Sequence, residues 1–167
     1  MRRSRWLGLL VGAMVVGVAV PALAGVGLFS RGPLTDLAVE DSATDGAWAV
    51  AKATVTADRT TVNLTVRHLD LALGQPGTTF GAHVHVGPCA VGDGASALGH
   101  YNHGGGVSSE TEVWLDFTIT RGGTGHATAI VPFAIPARGA RSIVIHALPT
   151  APDGTAGTRL ACLPLEF

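Results

Sequence analysis

Four histidines in this chain have the spacing of metal ligands. His83 and His85 flank a single valine, and because side chains alternate along a strand, their rings are expected on one face, about 6 to 7 Å apart. A single metal ion can bridge that separation. His146 ends a second apolar run, and His100 lies in a glycine-rich segment. The four side chains therefore predict a metal centre assembled on strands.

The elements that must position these ligands are short strands. From about residue 47 onward, polar and apolar positions alternate in runs separated by turn signals rich in glycine, proline and aspartate. The runs cover 49–55, 61–66, 80–86, 113–119, 127–133, 142–147 and 160–165. The pattern predicts an all-β, single-domain antiparallel Greek-key sandwich or flattened barrel of about seven or eight strands.

The first 24 residues have the features of an export signal. Three arginines precede an uncharged apolar run over 6–20, and the run is followed by Pro-Ala-Leu-Ala, a signal peptidase pattern. We predict a signal peptide over 1–24 and a mature start at Gly25. An uncleaved membrane anchor is the alternative, because no charge occurs between Trp6 and Phe29 and a run of that length can cross a bilayer.

The remaining chain has the size and charge of one exported domain. Residues 25–45 are predicted to be a poorly structured lead-in or a poorly marked first strand, and 46–167 to be one β domain. The whole chain has a formal net charge of −1, and removing the three leader arginines makes it about −4. That charge does not attract nucleic acid, and no stable membrane association is expected after cleavage. We therefore expect the protein in the periplasm, cell wall or medium.

The two cysteines, Cys89 and Cys162, both lie in the exported part. Oxidising conditions outside the cytoplasm favour a disulfide over two free thiols. A bond across their separation in sequence would stabilise the fold by roughly 4 kcal/mol in the chain-entropy model. It would also tether the segment after His85 to the last strand.

Ordered motifs surround the candidate ligands. They are Gly81-Ala82-His83-Val84-His85, Gly99-His100-Tyr101-Asn102, Val144-Ile145-His146 and Gly157-Thr158-Arg159-Leu160-Ala161-Cys162. Together they resemble the copper/zinc superoxide dismutase family over roughly residues 48–163. The resemblance implies copper ligation by His83, His85 and His146, with His100 as a fourth ligand that bridges copper to zinc. It also implies the Cys89–Cys162 disulfide and makes Arg159 the cation that attracts the anionic substrate.

The resemblance implies an exported, copper-dependent superoxide dismutase. Copper would cycle between Cu(II) and Cu(I), converting superoxide to oxygen and hydrogen peroxide. His100 would carry a proton in the reduced state, and Arg159 would supply a fixed positive charge. The alternative is a noncatalytic copper-binding or copper-delivery protein on the same scaffold, which has no evident need for Arg159.

The zinc site of the family is incomplete in this chain. After His100 the loop offers only His103, which is a possible zinc ligand or a residue that contacts a ligand. We therefore expect copper without zinc. Glu110, Glu112 and Asp116 are possible substitutes, but strand alternation predicts an ordinary exposed face for Glu112 and Asp116. One of these carboxylates is expected to hydrogen-bond His100 in place of zinc.

The loop between His146 and Arg159 is shorter and less charged than that of the family, and Asp153 is its only charged residue. A short loop predicts a metal site that is more open to solvent. The sequence leaves the oligomeric state open, because the strand faces that form dimers look like any exposed alternation.

Overall fold

The computed structural model describes residues 25–38, 46–70, 72 and 74–166. They form ten strands and a short 3₁₀ helix, Gly94–Ala97. The strands are β1 (Val26–Pro33), β2 (Thr35–Asp36), β3 (Trp48–Val55), β4 (Thr60–Arg67), β5 (Thr79–Phe80), β6 (Ala82–His85), β7 (Phe117–Thr118), β8 (Gly125–Val131), β9 (Ser142–His146) and β10 (Arg159–Pro164). The predicted leader, 1–24, lies outside the described residues. Within them, no helix is long and apolar enough to span a membrane.

Most strands belong to two four-stranded antiparallel sheets. The first sheet has the order β1-β3-β4-β8 and the second β2-β10-β9-β6, while β5 and β7 form a separate pair. The described strands do not close into a barrel, so a sandwich forms. The all-β antiparallel prediction is confirmed. There are ten strands rather than seven or eight because β1 and β2 lie in the predicted lead-in and the 80–86 run divides into β5 and β6.

β1 corrects the prediction for residues 25–45. The strand pairs with β3 along its whole length, from Val26 opposite Val55 to Pro33 opposite Trp48. A poorly structured lead-in is therefore wrong for this stretch, which is a poorly marked first strand. Because β1 is the edge of its sheet, its residues alternate between exposed and half-buried, and its sequence lacks a clear apolar alternation. Residues 39–45 lie outside the described part.

The hydrophobic core lies between the two four-stranded sheets. Alternate residues of β3 and β4 meet alternate residues of β6, β9 and β10. The core includes Ala49, Ala51, Val62, Leu64, Val66, Ala82, Val84, Ile143, Ile145, Ala161 and Leu163. Phe80 and Phe117 of the small β5-β7 pair stack in the same core, with ring centroids 5.8 Å apart. Removing this apolar surface from water is the main force that holds the sheets together.

The two sheets differ in how their outer faces are covered. β3 and β4 alternate between buried and more exposed residues, whereas every residue of β6 and β9 is buried. The outer face of the second sheet carries its own small cluster, which joins Leu37, Ala97, Val144 and Cys162. Polar side chains on this face are therefore held away from solvent.

Candidate metal centre

Strand alternation brings the predicted ligands to the outer face of the second sheet. β6 contributes Ala82 and Val84 to the core, so His83 and His85 point to the opposite face. Their ring centroids are 6.4 Å apart, within the range expected from the sequence. His146 is the last residue of the neighbouring strand β9, which pairs with β6. Two adjacent strands thus supply three of the four histidines.

The four rings form one cluster. Each ring offers one nitrogen, and the four nitrogens lie within 4.8 Å of one another. His100 comes from the loop after the 3₁₀ helix, and its ring centroid is 4.0 Å from that of His83 and 4.8 Å from that of His85. His83, His85 and His146 are buried, and His100 is half-buried. The predicted ligands are therefore brought together in a group that could hold a metal ion.

His85 and His146 are oriented by backbone carbonyls. Nδ1 of His85 donates to the carbonyl oxygen of Leu98 at 3.2 Å, and Nδ1 of His146 donates to that of Gly157 at 3.3 Å. Since carbonyl oxygens only accept, this network assigns the proton of each neutral ring to Nδ1 and a lone pair to Nε2. The two Nε2 atoms face each other at 3.4 Å, where their lone pairs repel. A cation between them removes that repulsion, so the pair fits a metal ion.

His83 makes its hydrogen bond through Nε2, unlike His85 and His146. Its Nε2 lies 2.7 Å from the hydroxyl oxygen of Thr150, and that hydroxyl donates its proton to Asp116. The hydroxyl therefore accepts from Nε2, which leaves the lone pair of His83 on Nδ1. Nδ1 is buried and has no hydrogen-bond partner among the described residues. A buried polar atom without a partner is costly, and a bound metal ion would satisfy it.

Glu112 fixes the ring of His100. Nδ1 of His100 donates to Oε2 of Glu112 at 2.8 Å, Trp114 donates to the same oxygen at 2.9 Å, and Asn102 donates to Oε1 at 3.0 Å. Burial alone would raise the pKa of the Glu112 carboxyl, but these hydrogen bonds lower it below its usual value. Of the three carboxylates considered from the sequence, Glu112 is the one that bonds His100.

The exposed face predicted for Glu112 and Asp116 is wrong. Glu112 is 3% exposed, and Asp116 is half-buried. Only Phe117–Thr118 of the predicted 113–119 strand belongs to a ladder, while Glu112 and Trp114 make isolated bridges to Asn102 and His83. The polar side of this segment therefore lies against the histidine cluster rather than against solvent.

Burial keeps three of the histidines neutral. Desolvation, reinforced by neighbouring histidines and Arg159, lowers the pKa of His83 to about 2 and that of His85 to about 3. For His146, desolvation lowers the pKa to about 4, although the hydrogen bond to Gly157 raises it. Neutral imidazole is the form that binds metal. These three ligands therefore need no deprotonation near neutral pH.

Arg159 lies at the mouth of the cluster. Nη1 donates to the carbonyl oxygen of Gly94 at 2.5 Å, and Nη2 donates to that of Leu98 at 2.6 Å. The side chain lines an open depression of about 510 Å³ that reaches His100 and His146. Burial lowers the pKa of Arg159, but a guanidinium remains charged at neutral pH. The depression therefore has a fixed positive charge beside the histidines.

Leu98 and Thr150 are parts of the site that sequence reasoning missed. The Leu98 carbonyl accepts from both His85 and Arg159, and the residue has φ 57° and ψ −146°, a backbone region that glycine adopts readily and other residues rarely. Its side chain is 57% exposed. A backbone carbonyl carries no sequence signal, and neither does a loop threonine. The only available hint was that loop residues often orient metal ligands.

His103 does not join the cluster. Its exposed ring stacks on Phe133, with centroids 4.5 Å apart and planes 5° apart. Within the described part of the chain, the four-histidine cluster is the only group with enough ligating atoms close together to hold a metal ion. The structure therefore gives His103 no contact with the predicted ligands.

The predicted disulfide is confirmed. Cys89 and Cys162 are bonded, with Cα atoms 5.7 Å apart. The bond joins the segment after β6 to β10 and lies beside the 3₁₀ helix residue Ala97. This bond is compatible with an oxidising compartment.

Neither a comparison with models of protein families nor a search of curated proteins finds a match for this chain. We therefore infer its function from the geometry of the site and from the motifs that surround the ligands.

Proposed function

We propose that the protein is an exported, copper-dependent superoxide dismutase. One arrangement supports this most: four imidazoles bring one nitrogen each to within 4.8 Å of one another, beside a fixed guanidinium in an open depression. Four nitrogen ligands without a thiolate suit Cu(II). When bound, copper would supply the one-electron chemistry that oxidises one superoxide to oxygen and reduces another to hydrogen peroxide. The predicted leader and the disulfide support export.

Arg159 would attract and position the anionic substrate. Its two described hydrogen bonds use two of the five guanidinium donors, so others remain for an anion. Asp153 also lines the depression and opposes this attraction, but its carboxylate accepts two hydrogen bonds from Thr155. Arg159 pairs with His146 across β9 and β10 and acts electrostatically on His83, His85 and His146, so we expect its charge to dominate the field felt by a small anion.

His100 and Glu112 support the copper-only form of this proposal. Nδ1 of His100, the nitrogen that would otherwise be free for a second metal, already donates to Glu112. Glu112 also orients the ring, as hydrogen-bonded carboxylates commonly do for metal-bound histidines. His100 is the most exposed of the four ligands, so solvent protons reach it through the depression.

The decisive experiment measures superoxide dismutation by the purified protein after copper loading with and without zinc, with bound metals quantified on the same samples. We expect turnover with one copper per chain and no requirement for zinc. Turnover that depends on zinc would contradict the copper-only form. Tight copper binding without turnover would favour the alternative, a noncatalytic copper-binding or copper-delivery protein.

The Arg159→Ala substitution also distinguishes a dismutase from a noncatalytic copper-binding or copper-delivery protein. In a dismutase the substitution should lower turnover strongly and copper affinity little, because Arg159 attracts the substrate but is not a ligand. Arg121→Ala is the matched control, because Arg121 is exposed and does not line the depression. Equal turnover in parent and Arg159→Ala would contradict the proposed role of Arg159.

A further inference from the structure

A second concavity lies apart from the histidine cluster and has no part in the proposed dismutation. It is an open depression with a volume of about 710 Å³, lined by the segment after β6, the turn before β9 and the chain around the end of β10. It shares no lining residue with the depression beside Arg159. Its volume lies in the usual range for small-molecule sites.

Three charged side chains line this concavity. They are Arg138, Arg141 and Glu166. In the described part of the chain, neither guanidinium has an ion pair or a side-chain hydrogen bond. The lining therefore has a net charge of +1 and two full sets of guanidinium donors. A single negative charge balances it.

The backbone that carries the two arginines is fixed. The N–H of Arg141 donates to the carbonyl oxygen of His85 at 2.9 Å, and the carbonyl of Arg141 accepts from the N–H of Leu165 at 2.8 Å. Arg138 has φ 63°, in the left-handed region that residues other than glycine rarely adopt, next to a turn closed by a hydrogen bond from Gly139 to Pro136. The guanidiniums are thus free, but their attachment points are held in place.

We propose that this concavity binds a monocarboxylate that carries a short apolar body. A carboxylate has the single charge that the lining lacks, and its two oxygens match the paired donors of a guanidinium. A phosphate dianion would leave excess negative charge beside Glu166. The remaining wall is largely apolar, with Pro88, Pro164 and Leu165, and would contact the body of the ligand. The carboxylate belongs either to a free organic acid or to the C-terminus of a peptide.

Hexanoate is the first probe, with hexanamide as its neutral counterpart. Because Arg159 also attracts anions, binding is followed by the NMR amide shifts of Ala140, Arg141 and Leu165 on the intact disulfide-bonded protein, at about 0.15 M salt to suppress weak surface attraction. We expect hexanoate to bind with a dissociation constant on the order of 1 mM, given its few atoms. Hexanamide should bind at least about 10-fold more weakly. Equal binding of the two probes would overturn the proposal, as would shifts confined to residues near Arg159.

Substitutions test the two arginines directly. Arg138→Gln and Arg141→Gln should each weaken hexanoate binding by about 10-fold. Arg121→Gln, an exposed arginine outside the concavity, should leave it unchanged. Unchanged binding in the Arg138→Gln/Arg141→Gln double variant would overturn the proposal.

A further comparison separates the two sources of the carboxylate, a free organic acid and the C-terminus of a peptide. It uses a peptide with a free C-terminal carboxylate and the same peptide amidated at its C-terminus. Binding of the free-acid peptide and of hexanoate at the same amides would assign the site to peptide ends as well as to organic acids. Binding of hexanoate alone would assign it to free organic acids.

Discussion

The two four-stranded sheets share one core but use their outer faces differently. On the first sheet the outer face is open, and Ile130 is 63% exposed there. On the second sheet both faces of β6 and β9 are buried, and the outer face holds His83, His85 and Cys162. An antiparallel sheet can leave one face in water. Covering that face with loops creates a place where histidines stay neutral and keep fixed hydrogen-bond partners.

The buried histidines on the outer face of the second sheet should make the stability of the metal-free protein depend strongly on pH. We expect this to be the largest effect of the covered face. The pKa values of His83, His85 and His146 are about 2, 3 and 4 in the folded protein, well below the value of 6.5 for free histidine. At a pH between the pKa of such a histidine in the folded protein and its pKa of about 6.5 in the unfolded chain, the unfolded chain binds more protons than the folded protein. Stability should therefore fall as the pH drops below about 6.5, by up to about 1.4 kcal/mol per pH unit for each histidine.

A urea unfolding series from neutral pH down to about pH 5 measures this dependence. His83→Ala should make the fall shallower, because it removes one of the three buried neutral histidines. A stability that stays flat over this pH range would contradict the burial of three neutral histidines.

Removing the disulfide should loosen the second sheet. The Cys89→Ser/Cys162→Ser variant loses a bond that closes a long loop, and we expect the free energy of unfolding to fall by about 4 kcal/mol. Urea denaturation measures the loss, and reduction of the parent protein should reproduce it. Native-state hydrogen exchange should show a larger loss of protection in β10 than in β3. Equal losses in the two strands would contradict a tether specific to the second sheet.

Glu112→Gln should weaken copper binding by roughly 10- to 100-fold, because the ring of His100 loses its charged acceptor while the side chain keeps its shape. Competition with a chelator of known affinity measures the effect. Glu110→Gln is the matched control, since Glu110 is exposed and makes no contact with His100. Similar affinities for the two variants would contradict an orienting role for Glu112.

A pair of threonine substitutions compares the two outer faces directly. Val144→Thr places a hydroxyl on the covered face, where Val144 is 0% exposed, and should cost about 1 to 3 kcal/mol if the hydroxyl finds no partner. Ile130→Thr on the open face should change the free energy of unfolding by no more than about 0.5 kcal/mol. Thermal and urea unfolding of both variants measure the difference. Equal costs would mean that the second sheet is less covered than the fold indicates.

The sequence predicted those parts of the site that depend on strand periodicity. His83 and His85 could be placed on one face because alternation fixes the direction of each side chain, and the seven predicted runs all contain strand residues of the structure. The disulfide followed from two cysteines in the part of the chain that the sequence predicts to be exported. These signals are local or compositional, so no knowledge of the loops was needed.

Loop placement accounts for the errors. Glu112 was expected on an exposed face because alternation describes a strand but not the segment that covers it. The hydrogen bond from His83 to Thr150 joins residues far apart in sequence, so no local pattern predicts it. β1 was poorly marked because an edge strand buries few side chains and therefore has little pattern to detect.

Leu98 has a consequence for engineering this protein. Its backbone conformation costs a residue with a side chain about 1 to 3 kcal/mol, and its mostly exposed side chain recovers little of that through burial. Glycine adopts the same conformation easily and would present the same carbonyl to His85 and Arg159. A search for heat-resistant variants should therefore begin at position 98, at the rim of the site, rather than in the well-packed core.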